Sequence, residues 1–238
     1  MMWIRKPSNI ISKILSPAVQ LWLRSQVDHV ETLQMKIDGS DRQILGGYIP
    51  GIMLNSKGAV YQGLHLAQAE ITGENIRINI GQIIKGKPLQ LLENIQVLGE
   101  IQVTETDLQA SLSSSLLGDA FRELLITLLE YQGLSNVQQI LDKYEIIWQE
   151  VTLSQSTFTL QGLVTQNEAE NQIIIKGQLE LISSQTLRFI PLEMEGLSEF
   201  SNNSLEELEL DLGSDVVIDS LNLGDNQLFC RAQLLIRP

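Results

Sequence analysis

The segment Gly81-Gln82-Ile83-Ile84-Lys85-Gly86-Lys87-Pro88 follows an alternating apolar run. It carries the spacing of the first seven positions of a phosphate-binding loop, in which backbone N–H groups cradle phosphate and a hydroxyl at the eighth position binds magnesium. Pro88 occupies that eighth position. It has no hydroxyl and no N–H, and it steers Lys87 away from the helical region. Two readings stay open for this segment: a turn with two solvated lysines, or a basic collar that meets a lipid phosphate. A Ser-His-Asp arrangement would need His29 or His65, the two histidines of the chain. His65 sits in an alternating run and reads as an outward polar residue. His29 follows an amphipathic segment and reads as a surface residue. No Gly-x-Ser-x-Gly elbow occurs, and Ser113-Ser114-Ser115 falls within or between helices. The single Cys230 lies on the apolar side of a strand pattern and reads as an inert thiol. Glu206, Glu207, Glu209 and Asp211 lack the glycine-centred spacing of a calcium loop and read as a solvated face. Neither a metal, a cofactor nor an enzymatic activity is expected.

Composition narrows the partners. The chain has 238 residues, 43% of them hydrophobic and 5% aromatic, with a formal net charge of −13. The acidic balance and the scarcity of aromatics argue against nucleic-acid binding, which needs cations for phosphate and rings for bases. The apolar content is aliphatic, which suits a plain core or a cavity for acyl chains. No apolar run reaches the roughly 20 residues of a membrane span or the 7–15 or so of a secretory signal. The location expected is cytoplasmic, or peripheral on a membrane. Charge is polarised: residues 1–24 carry Arg5, Lys6, Lys13 and Arg24 and no acid, whereas residues 150–238 are strongly acidic.

The elements that must position these groups follow from periodicity. Ser8 to Val27 shows a polar stripe at spacings of three and four, with Ile11, Leu15, Val19 and Trp22 on the apolar face, and so predicts an amphipathic helix, with Pro17 a point for a kink or a split. Such a face either packs on its own domain or lies in a membrane interface. Trp22 and the flanking cations suit the interface, so membrane contact is assigned to Ile11, Lys13, Leu15, Trp22 and Arg24. From Glu31 onward the period is two, with Gly46-Gly47, Pro50-Gly51, Gly58, Gly63 and Gly73 as turns or bulges. Thr104-Glu105-Thr106-Asp107 reads as a capping box. The leucine-rich stretch it opens runs to Glu130, with Gly118 as the expected break. A short helix at 137–144 precedes further alternating strands. Leu64 to Gly73 and Leu187 to Gly196 match in kind and suggest two related β-rich halves. The expected fold is α+β. Residues 1–30 form an N-terminal basic helix and 31–238 a single domain.

The order of motifs also resembles a known family. The blocks are Ile14-Leu15-Ser16-Pro17 running on to Leu21-Trp22-Leu23-Arg24-Ser25-Gln26; Asp41-Arg42-Gln43; Gly47-Tyr48-Ile49-Pro50-Gly51; Val60-Tyr61-Gln62-Gly63-Leu64-His65-Leu66; Gly73-Glu74-Asn75-Ile76-Arg77-Ile78-Asn79; Gly86-Lys87-Pro88-Leu89; and Thr106-Asp107-Leu108 with Ser111-Leu112. Together they resemble the LmeA-like phospholipid-binding family in its cyanobacterial branch. The resemblance implies a non-enzymatic phospholipid-binding domain. It implies a fold similar to tubular lipid-binding proteins, in which a long curved antiparallel sheet wraps an apolar helix. Aliphatic strand faces closing over residues 107–129 fit that picture, with Leu108, Leu112, Leu116, Phe121, Leu124, Leu125 and Leu128 lining an acyl-chain slot. Arg77, Lys85 and Lys87 are the cations expected to meet the headgroup. The partners expected are phospholipid and, through the N-terminal helix, a membrane surface. The alternative is a structural or assembly factor for a membrane protein complex.

Overall fold

The structure, a computed structural model, describes residues 15–166, 169–196 and 204–238. It begins with α1 (Ser16–Gln26), β1 (His29–Asp38), α2 (Asp41–Leu45), β2 (Tyr48–Tyr61) and β3 (Leu64–Arg77). Next come α3 (Ile80–Ile83), β4 (Ile95–Thr104), α4 (Glu105–Ser111), α5 (Ser115–Tyr131) and α6 (Val137–Leu141). Four strands follow: β5 (Glu145–Ser154), β6 (Thr157–Gln166), β7 (Ala169–Ser183) and β8 (Thr186–Glu195). The last are β9 (Ser204–Leu205), β10 (Leu208–Asp211), β11 (Val216–Gly224) and β12 (Gln227–Ile236). The α+β class expected from the sequence is present. The strands form two antiparallel sheets, ordered β1-β2-β3-β4-β12-β11 and β10-β8-β7-β6-β5, where one long sheet was expected.

Local chemistry accounts for the boundaries. Gln62 and Gly63, both at positive φ, make the two-residue turn between β2 and β3. That is the geometry a twisted antiparallel hairpin prefers. Gly47 (φ +74°) is required outright, because a Cβ there would lie 2.6 Å from the Ile78 carbonyl oxygen. Pro50-Gly51, Gly58 and Gly73 lie inside β2 and β3 instead of in turns, since flanking apolar pairs hold the ladder in register. The capping box is present: Thr104 N–H donates to Asp107 Oδ2 (2.8 Å) and Asp107 N–H to Thr104 Oγ1 (3.1 Å). The helical break falls at 112–114, before Gly118, because Ser114 Oγ accepts from Leu117 N–H and caps a new helix. The ten-residue match at Leu64 and Leu187 lies on the third strand of one meander and the fourth of the other, so it does not mark equivalent strands.

Two apolar clusters result. In one, Leu124, Leu125, Leu128 and Leu129 of α5 pack with Val137 and Leu141 of α6 and with Leu160, Ile173, Ile175 and Leu192 of the second sheet. In the other, Leu15 and Val19 pack with Ile44, Ile49, Ile76, Ile78, Ile95 and Val97 on the first sheet. Helix α4 joins the halves through β5, the edge strand of the second sheet. Gln109 Nε2 donates to Gln149 O (2.5 Å), Val151 N–H to Gln109 Oε1 (3.1 Å), and Leu153 N–H to Glu105 Oε2 (2.8 Å). Side chains thereby occupy edge groups that would otherwise invite another strand. Ser111, fully buried, accepts from His65 N–H (2.8 Å) and donates to Asp107 O (2.6 Å). This ties α4 to the start of β3. Among the described residues no helix is long and apolar enough to cross a membrane.

Candidate functional site

An apolar cavity of about 260 Å³ lies between α1 and the inner face of the first sheet. Val19, Trp22 and Leu23 of α1 stand against walls formed by β2, β3, β4 and β12. Ile52, Leu54, Ile71, Val97, Ile101, Leu234 and Ile236 occupy those walls at every second position, as strand periodicity requires. Every residue on its wall is apolar or glycine. Gly99 keeps part of it open. A Cβ at Gly99 would meet nothing nearer than the Ala232 carbonyl oxygen at 3.9 Å, so the space above it is vacant of side chain.

The residues expected to line an acyl slot do not form this cavity. Leu112, Leu124, Leu125 and Leu128 are buried in the cluster between α5 and the second sheet, with Leu108 and Phe121 packed against it. Phe121 meets the edge of Trp148 with ring centroids 5.4 Å apart. Leu116 is exposed. A second cavity, about 350 Å³, touches Leu112 and Leu125 only among the seven. Ser113, Ser114, Arg122 and Tyr144 also line it, and Arg122 is salt-bridged to Asp142. Polar groups on the wall make it a poor seat for a tail, because each loses water without gaining a partner. The leucine stripe of α5 is consumed by packing, which the 3.6-residue period cannot distinguish from lining a slot.

The membrane-contact residues also divide. Ile11 and Lys13 lie outside the described residues. Leu15 is fully buried and Trp22 is on the cavity wall, so both face the sheet and not an outer surface. Arg24 is exposed in the last turn of α1, and Pro17 sits in its first turn, where proline disrupts nothing.

Of the headgroup candidates, Lys85 and Lys87 lie in the loop between Ile78 and Leu89, two residues that border the cavity. Ile78, Leu89 and Leu91 all line its wall. They belong to a loop pinched at its neck by Asn79, whose Oδ1 accepts from Gln90 N–H (2.9 Å) and whose Nδ2 donates to Pro88 O (3.0 Å). Asn79 carries no sequence signal beyond its place before the loop. Within the loop, α3 precedes Lys87, whereas a phosphate-binding loop needs its helix after that lysine. Lys85 and Lys87 are exposed. Lys85 lines a shallow depression whose wall includes Ile78, a residue that also borders the apolar cavity. Arg77 is separated from this pair. Strand alternation puts it opposite Ile76 and Ile78, on the outer face, where its guanidinium lies 4.6 Å from the Tyr48 ring centre.

The remaining reactive types are accounted for. Burial raises the Cys230 thiol above its ordinary range, which leaves it protonated and weakly nucleophilic. Asp215 pairs with Arg237 (2.8 Å), Asp219 with Arg231 (3.8 Å) and Glu207 with Arg188 (3.5 Å). Among the described residues no group of three or more His, Cys, Asp or Glu side chains could hold a metal ion.

No curated protein and no solved structure matches the chain. The family model described as LmeA-like phospholipid-binding matches residues 7–233, nearly the whole sequence. That match covers well over half of the sequence, and the chain belongs to the LmeA-like phospholipid-binding family.

Proposed function

We propose that this protein is a non-enzymatic phospholipid carrier that seats an acyl chain between α1 and the first sheet and meets the headgroup phosphate with Lys85 and Lys87. The observation that carries the reading is Ile78, which is shared by an all-apolar cavity and by the depression that Lys85 lines. An amphiphile lying across Ile78 would have its tail in aliphatic surroundings and its phosphate within reach of a cation.

The magnitudes suit reversible binding. A dry apolar cavity of about 150 Å³ takes one benzene, so about 260 Å³ scales to about ten tail carbons. At about 0.8 kcal/mol for each buried CH₂ the gross gain is about 8 kcal/mol, before ordering and association costs. One tail is then only partly enclosed and the rest of the lipid lies outside. That suits pick-up and release better than permanent storage.

Native mass spectrometry of the purified protein tests the binding, and movement of a fluorescent phospholipid between vesicles tests the transfer. Gly99→Leu is expected to fill the cavity, leave the fold intact by circular dichroism and reduce bound lipid at least severalfold. Absence of phospholipid from the wild type, together with no uptake from vesicles, would overturn the reading. Lipid retained in full by Gly99→Leu would move the tail elsewhere.

A further inference from the structure

The end of the first sheet beside Lys85 is unlike the rest of the surface. Six described apolar side chains are more than half exposed, namely Leu21, Leu45, Ile84, Leu92, Tyr131 and Ile147. Three of them, Leu45, Ile84 and Leu92, belong to this one end. Leu45 and Leu92 line the same depression as Lys85, and Ile84 precedes Lys85 in the chain. Isolated exposed leucines are ordinary, but clustered ones mark a contact surface. The charge around them is mainly positive. Arg42, Lys85 and Lys87 are exposed, and none is in an ion pair with a described carboxylate. The stretches from Arg42 to Ala69 and from Arg77 to Leu92 contain no acid; Asp41 and Glu70 flank the first, and Glu74 and Glu93 lie nearest the ends of the second. The body of the protein is acidic. An anionic surface would therefore attract this end and repel most others.

We propose that this end is a docking tip for an anionic bilayer, with Leu45, Ile84 and Leu92 entering the interface and Arg42, Lys85 and Lys87 meeting lipid phosphates. Apolar side chains beside unpaired cations are the combination by which peripheral proteins hold such a surface. The tip also carries Ile78, so docking brings a residue that borders the apolar cavity against the source of its ligand. This purpose rests on the phospholipid-carrier reading; the docking itself does not. Helix α1, by contrast, turns its apolar face to the sheet and leaves Leu21 alone outside.

The test is co-sedimentation with vesicles of equal parts phosphatidylglycerol and phosphatidylcholine, and with phosphatidylcholine alone. The wild type is expected to bind the anionic vesicles. The combined Leu45→Ser, Ile84→Ser and Leu92→Ser variant is expected to lose about tenfold or more of that binding. Its circular dichroism spectrum is expected to stay unchanged, because all three side chains are more than half exposed. A second readout uses Ile84→Cys in a Cys230→Ser background, labelled with an environment-sensitive dye. Its emission is expected to shift to the blue with anionic vesicles only. Docking by a protein that carries no lipid would support the tip while removing the carrier reading. Undiminished sedimentation of the triple variant, or no dye shift, would overturn the tip. A wild type that ignores anionic vesicles would do the same and leave the patch to a protein partner.

Discussion

Single residues decide how much of the first sheet is filled. Gly99 stands at an inward position where valine or isoleucine would be ordinary, and part of the cavity is the space it leaves. Ser111 acts in the opposite sense, as a polar group that must stay paired. Ser111→Val would strand the His65 N–H without its acceptor, so a loss of about 1–3 kcal/mol is expected in urea unfolding. Cys230 offers a pH signature. Its folded pKa is raised by burial. The resulting stability is therefore complete below the unfolded thiol's pKa and is lost as pH rises through the folded one. Alkylation of the native protein should reach half-maximal rate at higher pH than alkylation of the urea-unfolded chain. Coincident profiles would show the thiol to be solvated.

Elements decide where these residues act. Helix α4 is a clip. Its Glu105 and Gln109 hold the edge of β5, so Glu105→Ala and Gln109→Ala should each cost about 1 kcal/mol. Amide exchange at Val151 and Leu153 should accelerate ahead of their neighbours; uniform acceleration would mean global destabilisation alone. Helix α1 is a wall. Because Leu15 and Val19 are buried against the first sheet, deleting residues 1–28 should expose the cavity and promote aggregation, seen as light scattering at rest. A truncated protein that stays monomeric and equally stable would show α1 to be dispensable to the core.

The whole molecule sets orientation. Its −13 charge combines an acidic body with a few bare cations at one end of the first sheet. Association with anionic vesicles should therefore weaken steeply when ionic strength rises from about 0.05 to about 0.5 M, as the screening length falls well below 10 Å. Binding that holds constant across that range would assign attachment to apolar insertion alone.

Much of this was legible beforehand. The period-two runs through Leu33, Met35 and Ile37, and through Val97, Ile101 and Val103, predict β1 and β4 because alternation states directly which side chains share a face. The Thr104–Asp107 capping box is legible because its partners are three residues apart. The ordered motif blocks point to the family whose model matches residues 7–233. Local spacing carries local structure.

What the tertiary structure alone decided is which apolar face meets which. Read as sequence, the leucine stripe of 107–129 is the candidate for lining a slot and the face around Leu15 and Trp22 the candidate for a membrane interface. In the fold, α5 is filled in by α6 and five strands of the second sheet, while α1 stands over a floor that includes Gly73 and Gly99. A cavity is a mismatch in volume between surfaces remote in the chain, here residues 19–23, 49–101 and 234–236, and no local period encodes it. Arg77 and Lys85 are eight residues apart, yet the strand face holds Arg77 against Tyr48 while the loop carries Lys85 to a separate depression.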